Sequence, residues 1–500
     1  MNPGMMFIAI LLPLVTGLSI PLIGFGRSSF KDNADQARGI YIEIIVLITS
    51  VIVALLLFHT PEGSFVFARF TRSITLSLHI DGMSKVFAGV VAFLWPLASL
   101  YALEYMTKDE NENIFFMFYT MTYGITLGIA FAEDLFTMYF FYELLTLVTV
   151  PLVMHNLSRE AILAGRSYLY YSLGGAGFAF IGLVFVLTYS SNINFHYGGV
   201  LNLTLVAGKT NVLLLIYVLA FLGFGVKAAL FPLGGWLPKA SVAPTPVTAL
   251  LHAVAVVNAG AFAIIRLTYY SFGVEFLKGT WAQKVVMALA LITILYSSSR
   301  AVKETHMKRR LAWSTSSNLS YILFGVTLMS PIGLLGALLH FIAHAFTKIC
   351  SFSCAGAIIH ETERSYVHEL DGLAYKLPVV FSMFAVSSLS LMGVPGFAGF
   401  ISKWYLASAA VESQNGEAYF GVVVLLISAL LTAIYMMTMV VRGFFPEKGF
   451  DEGSIREYKA ADWKMRLPII IFAVMVLVIG LYSGPLISYL TGICTGPAGF

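Results

Sequence analysis

Charge is what this sequence has least of. Only 11% of its 500 residues are Asp, Glu, Lys or Arg, against about 25% in soluble domains. Hydrophobic residues make up 58% and the mean hydropathy is +0.84, so almost no room is left for a soluble domain. Cysteine is nearly absent: Cys350, Cys354 and Cys494 form no metal-ligand framework, and the first two sit in an apolar run as small hydrophobes. No CxxC and no glycine fingerprint after a strand occurs, so no iron–sulfur, flavin or nucleotide signature is present and no cofactor is expected in this chain. A basic n-region is missing ahead of Pro3–Ile23, which argues against a cleavable signal peptide.

What is present is a succession of apolar runs. Forty Phe and 25 Tyr suit lipid-facing helices and interfacial belts. Runs near 20 residues place spans at about 5–25, 40–58, 83–103, 114–132, 135–154, 167–189, 211–232, 245–271, 284–299, 311–330, 333–360, 377–410, 419–442 and 467–491. The expected fold is an all-α polytopic membrane protein of about 14 transmembrane helices. Between the second and third spans, FVFARFTRSITLSLHI alternates enough for a short surface hairpin.

Lys and Arg divide unevenly between the two sets of loops. Twenty of the 30 lie in loops that follow odd-numbered spans, Arg27, Lys31, Arg38, Lys108, Lys308, Arg310, Lys448 and Arg456 among them. Seven, including Arg72 and Arg266, lie in the opposite loops. The positive-inside rule then puts the first set in the cytoplasm and both termini outside. Only Lys227, Lys348 and Lys403 remain within the spans.

Two of the spans are interrupted. FGVKAALFPLGGWLP, Phe224–Pro238, breaks at Pro232, Gly234 and Gly235; the twelfth span breaks at GVPGFAG, around Pro395 and Gly396. A broken helix costs backbone hydrogen bonds that lipid cannot replace, so it needs protein or a water-filled cavity against it. Paired breaks in corresponding positions point to a transport site. Each break lies in the fourth member of a five-helix run, which predicts two inverted repeats. The expected organisation is 1–113 (helices 1–3), 114–271 (first repeat), 284–442 (second repeat) and 443–500 (a loop and helix 14).

The charges inside the spans carry the chemistry. Glu143, mid-span in LFTMYFFYELLTLVTVPLV, costs roughly 2.5–3.5 kcal/mol on insertion scales if left alone. Lys227 is its expected partner, either as a gate for protons or as a static buried pair that fixes packing. In ALLHFIAHAFTKICSF, His340, His344 and Lys348 are spaced four and four, so they share one helix face and suit a proton relay. Metal binding by the two histidines lacks a third ligand, and Lys348 would repel the ion. His252, in PTPVTALLHAVAVVNAG, links Lys227 to that helix. Lys403, eight residues beyond Pro395, mirrors Lys227. Asp81, Glu104, Glu133 and Asp134 are expected at helix ends.

These segments resemble a known family. HIDGMSKVF, EDLFTMYFFYELLTL, KAALFPLGGWLPKASVAPTPVTALLHAV, KRRLAWSTSSNLSYI, LLHFIAHAFTKICSFSCAGAII and GVPGFAGFISKW are similar to hallmarks of the antiporter-like membrane subunits shared by respiratory complex I, Mrp cation/proton antiporters and membrane-bound hydrogenases. The resemblance implies that Glu143 and Lys227 are the carboxylate–lysine pair of an input half-channel. It implies that His252, His340, His344 and Lys348 form a central relay and that Lys403 is the output lysine. The histidines look closest to the most distal complex I pump subunit. That subunit carries a long lateral helix and commonly an acidic residue after its last lysine; here the chain ends at Phe500 and Trp404 follows Lys403. The resemblance therefore implies an Mrp-type subunit, or the pump arm of a ferredoxin- or hydrogenase-like complex, in a bacterial or archaeal plasma membrane. Its partners would be other integral membrane subunits and, in a redox complex, an arm bearing iron–sulfur clusters; no nucleic acid is implied. A pump subunit of complex I and a stand-alone solute transporter are the alternatives, and a purely structural scaffold is the third.

Overall fold

A computed structural model describes residues 2–22, 31–71, 74–109, 111–414, 416–447, 450, 452–455 and 458–496, without the side chains of 31–35, 108, 452 and 454. Arg27, Arg72, Lys448 and Arg456 of the loop tally, and the end of the first expected span, lie outside the described residues.

The chain folds almost wholly into helices. They are α1 Gly4–Leu22, α2 Lys31–Phe58, α3 Gly82–Tyr105, α4 Glu112–Phe131, α5 Leu135–Val153, α6 Arg159–Tyr189 and the short α7 Leu203–Val206. Next come α8 Thr210–Gly225, α9 Trp236–Ala240, α10 Thr245–Ala253, α11 Val256–Ile265, the short α12 Val274–Leu277, α13 Trp281–Lys303 and α14 Met307–Thr327. The last six are α15 Pro331–Thr362, α16 Pro378–Met392, α17 Ala398–Glu412, α18 Gly416–Phe444, α19 Trp463–Leu481 and α20 Gly484–Cys494. Among the described residues, 11 helices are long and apolar enough to cross a membrane. The expected spans outside that set are the two interrupted ones and the tenth, which is α14. That helix is too polar to qualify, because Trp313–Ser320 carries five hydroxyls and an asparagine.

Local chemistry sets the helix starts. Asp81 caps α3 by accepting from Ser84 N, and Asp134 caps α5 by accepting from Thr137 N, each at 2.8 Å. Ser158 and Ser330 cap α6 and α15 in the same way. Close helix packing uses glycine where a side chain would collide. A Cβ on Gly175 of α6 would lie 2.7 Å from the Gly223 carbonyl of α8.

Three expectations are corrected. The hairpin forms, with β1 Phe65–Arg69 antiparallel to β2 Thr75–Leu78, but β2 is buried rather than on the surface. Ser77 donates to Asp134 at 3.1 Å and its amide donates to Thr137 Oγ1, so the strand is tied to the start of α5. The eighth span is not continuous: α10 and α11 part at Val254–Ala255, where Asn258 Nδ2 donates to the freed Ala253 carbonyl at 2.8 Å. The last span divides into α19 and α20 around Tyr482–Ser483.

Burial identifies the centre of the bundle. The window over Thr245–Phe272 is 100% buried and that in α15 is 94% buried, against 28% for the span in α2. α14, polar on several sides, and α15, which carries His340, His344 and Lys348, are buried along almost their whole length because neighbouring helices cover them. At one end of α14, His306 meets the edge of Tyr366 at 5.4 Å. Burial, with the Lys308 and Arg309 charges, brings His306 down to about 4. In the unfolded chain a histidine titrates near 6.5, so its contribution to stability is complete above about pH 6.5 and is lost progressively as pH falls toward 4. We expect Tm to fall over that interval, and to fall less in His306→Gln. Parallel Tm-against-pH curves for the two proteins by scanning fluorimetry would refute this.

Candidate functional site

At the first break, α8 ends at Gly225 and α9 begins at Trp236. The freed backbone groups are taken up by neighbouring helices, as a membrane interior requires. Phe231 N donates to Thr293 Oγ1 at 3.0 Å, Ser316 donates to the Ala229 carbonyl at 2.9 Å, and Trp236 Nε1 donates to the Val226 carbonyl at 2.8 Å. Pro232, Gly234 and Gly235 line a cavity of about 60 Å³ with Thr293, Ser297 and Ser316. A Cβ on Gly234 would collide with the Ala229 carbonyl oxygen, so only glycine fits there.

Lys227 is buried at the head of this break. Its Nζ donates to the Tyr142 carbonyl and lies 3.5 Å from the centre of the Tyr142 ring. Glu143 is the next residue along α5, yet the expected ion pair is not closed: no carboxylate–amine contact joins the two among the described residues, and Glu143 Oε1 has no hydrogen-bond partner. The lysine is held by the backbone of the turn that carries the carboxylate.

His252 lies on α10, fully buried, with its ring stacked on Phe352 of α15 at 4.6 Å. Phe352 is one turn beyond Lys348 on the same helix. Lys348 is 0% exposed and donates to the Leu311 carbonyl at 3.2 Å and to Ser314 Oγ at 2.7 Å, both on α14. Ser314 in turn accepts from Tyr435 of α18 at 2.8 Å. His344 and His340 continue up α15. Both ring nitrogens of His344 and of His252 lack a partner. His340 stacks on Tyr321 at 5.2 Å, and its Nδ1 meets Ser402 Oγ at 2.8 Å.

Ser402 precedes Lys403 on α17, just past the second break. There α16 ends at Met392, and Gly393 and Gly396 take φ of +88° and +92°, a region open to glycine. Pro395 lies between them. Lys403 folds back over this turn: its Nζ donates to the Leu391 carbonyl at 2.5 Å and sits 5.1 Å from the Tyr321 ring centre. The seven predicted polar residues therefore run from α5 and the break after α8, through α10 and α15, to α17. Among the described residues, no group of three His, Cys, Asp or Glu side chains is placed to hold a metal ion.

Sequence reasoning missed buried cations. Lys308, assigned to a loop, is 8% exposed and donates to the Ala243 carbonyl at 2.8 Å beside the start of α10. Arg266, also assigned to a loop, is 1% exposed in a π-helical turn that prolongs α11. It pairs with Asp81 through both carboxylate oxygens, at 2.5 and 2.7 Å. Their neighbours in sequence read as span ends, so nothing local marked them as buried. The hydroxyl partners Ser314, Ser402 and Tyr435 were missed as well; the only signal was the polar stretch of α14.

A family model described as "NADH:quinone oxidoreductase/Mrp antiporter, TM" matches residues 132–432, which hold all seven of these polar residues. The chain belongs to this family. A second model, "NADH-Ubiquinone oxidoreductase (complex I), chain 5 N-terminus", matches residues 69–116. NADH-quinone oxidoreductase subunit N of Desulforudis audaxviator is 31% identical over 426 residues, 83% of either chain. A Na(+)/H(+) antiporter subunit of Alkalihalophilus pseudofirmus is 29% identical over 436 residues; the match takes in 82% of this chain but 53% of that larger relative. A chain of the membrane-bound sulfane sulfur reductase, an archaeal respiratory membrane complex, shares the fold at a TM-score of 0.83 and 21% identity, covering 98% of this chain and 97% of that one. As a family member the protein is a multi-pass membrane protein.

Proposed function

We propose that this chain is the ion-translocating membrane subunit of a multisubunit complex and moves protons along Lys227, His252, Lys348, His344, His340 and Lys403. One observation carries the reading. Each of the three lysines in the line is tied to a backbone carbonyl, on α5, α14 and α16 respectively, and none to a carboxylate among the described residues. An amine with neutral partners gives up its proton without stranding a buried counter-charge. The unpartnered nitrogens of His252 and His344 stand between the lysines as open donor and acceptor positions. Glu143, one residue past the carbonyl that holds Lys227, is placed to admit the proton when that contact loosens.

The line divides between the expected repeats 114–271 and 284–442, each with its broken helix, in keeping with two half-channels joined at α15. The driving event belongs to partner subunits. Those partners are other integral membrane subunits, of an Mrp-type antiporter or of a ferredoxin- or hydrogenase-like complex whose redox arm bears iron–sulfur clusters. The cargo is protons, or protons with sodium, in a bacterial or archaeal plasma membrane with both termini outside. The identity with the Desulforudis relative over 83% of both chains favours a second reading, a pump subunit of an NADH:quinone dehydrogenase.

Proton translocation by the complex in inverted vesicles tests the line. Glu143→Gln and Lys227→Ala are expected to abolish it while the complex still assembles. Unimpaired pumping in either variant would overturn the mechanism. Iron and flavin co-purifying with the tagged chain would assign it to a redox complex, and their absence from an intact hydrophobic complex to an antiporter.

A further inference from the structure

A second intramembrane carboxylate lies away from this line, in the helices that precede the first repeat. Glu43 sits on α2, within the stretch Gln36–Phe58 that is apolar enough to cross the membrane. A carboxylate there is expensive and calls for a reason. Its Oε2 accepts from Ser99 Oγ of α3 at 2.5 Å, and Ser99 is 0% exposed. On α4, Tyr119 turns a second hydroxyl into the helix packing. That hydroxyl is buried and has no partner, and neither has the buried Trp95 Nε1, whose ring is 5.8 Å from the Tyr119 ring. Further along the same face of α2, Ser50 meets Tyr123 at 2.7 Å, and Tyr123 stacks on Trp95 at 4.8 Å. A column of donors thus runs between α2, α3 and α4, with one carboxylate at its head.

The head of the column opens on a cavity of about 550 Å³, lined by Gln36, Arg38, Glu43, Thr107, Glu112 and Lys464. The other charges around it are matched. Arg38 pairs with Glu112 and donates to Asn113 at 3.1 Å, and Lys464 of α19 pairs with Glu104 of α3 at 3.1 Å. Glu43 is the lining carboxylate whose hydrogen bond comes from a neutral hydroxyl. A cavity of this size with charged and hydroxyl groups in its wall admits water, so protons reach Glu43 without crossing lipid.

We propose that Glu43 is a second proton-binding site of this chain, filled through the cavity between α2, α3, α4 and α19 and separate from the lysine–histidine line. The proton adds to a carboxylate oxygen, and the uncharged acid that results keeps its hydrogen bond to Ser99 with the direction of donation reversed. The structural alternative is a hydrogen bond that only joins α2 to α3.

Acid-minus-base infrared difference spectra of the purified complex distinguish the two. The expected result is a carboxylic-acid C=O band that titrates, is lost in Glu43→Gln and persists in Glu143→Gln. A Glu43→Gln spectrum identical to wild type would overturn the proposal, whatever the fate of Glu143. Should Glu43→Gln fail to assemble, Ser99→Ala decides. It removes a bond made to the charged form, so the band should persist to higher pH; an unmoved midpoint would overturn the proposal.

Discussion

Lys348→Ala is expected to reduce proton translocation by the assembled complex at least about tenfold, a barrier increase of about 1.4 kcal/mol. Lys348 is the one amine on α15 and stands between the His252 ring stack below it and His344 above. Alanine removes the hydrogen bonds that run from α15 to Ser314 and the Leu311 carbonyl. Ser314 keeps its bond from Tyr435, so the local structure has a partner left and assembly should survive. Lys348→Arg sharpens the test, because a guanidinium restores charge but does not release its proton. Both variants should therefore be inactive if proton transfer is the role, whereas arginine should rescue if the role is a fixed charge. Dye-quench assays on inverted vesicles, normalised to assembled complex on native gels, give the answer. Translocation in Lys348→Ala within about twofold of wild type would remove this lysine from the line.

The second large effect is on stability. Arg266→Ala should destabilise the protein by about 3 kcal/mol, the lower end of the range for breaking a buried pair, because Asp81 keeps some contact with solvent. Arg266 also donates to Ser84 Oγ at 3.2 Å and lies within 4.6–5.1 Å of the Tyr270, Phe195 and Phe262 rings. Its loss unties the start of α3 from the π-helical turn. Burial alone would push the Asp81 carboxyl up, but the Arg266 charge and hydrogen bonds, with those from Ser84, hold it down at about 2. A carboxylate held below its unfolded value near 3.9 contributes stability above that pH and loses it as pH falls toward 2. The deficit of Arg266→Ala should therefore be largest at neutral pH and shrink as pH falls, because the unpaired Asp81 carboxyl takes up a proton at a higher pH than the paired one. A thermal-unfolding difference that does not shrink between neutral pH and pH 3 would contradict the pairing.

Helix positions were legible because lipid imposes one rule, a run of about 20 apolar residues. That rule failed where its premise fails. α14 is too polar to stand in lipid, and it is a helix because α13, α15 and α18 cover it. The break between α10 and α11 was hidden because Val, Ala and Asn break no pattern; Asn258 makes it possible by replacing a lost backbone donor. The proline–glycine breaks were visible because proline removes a backbone donor and closely spaced glycines beside it weaken the helix further.

By itself the sequence marked seven anomalous titratable residues, but not Glu43, Lys308 or Arg266. Glu143, Lys227, His252, His340, His344, Lys348 and Lys403 stand out because a charge inside an apolar span is expensive wherever the span is placed. Only the tertiary structure decided what each of them touches. Lys227 meets the Tyr142 carbonyl rather than the Glu143 carboxylate. Arg266 finds Asp81 from 185 residues away, and Glu43 finds a hydroxyl on α3. Partner choice depends on which helix faces pack together, and a pattern read along one helix holds no information about the face opposite it.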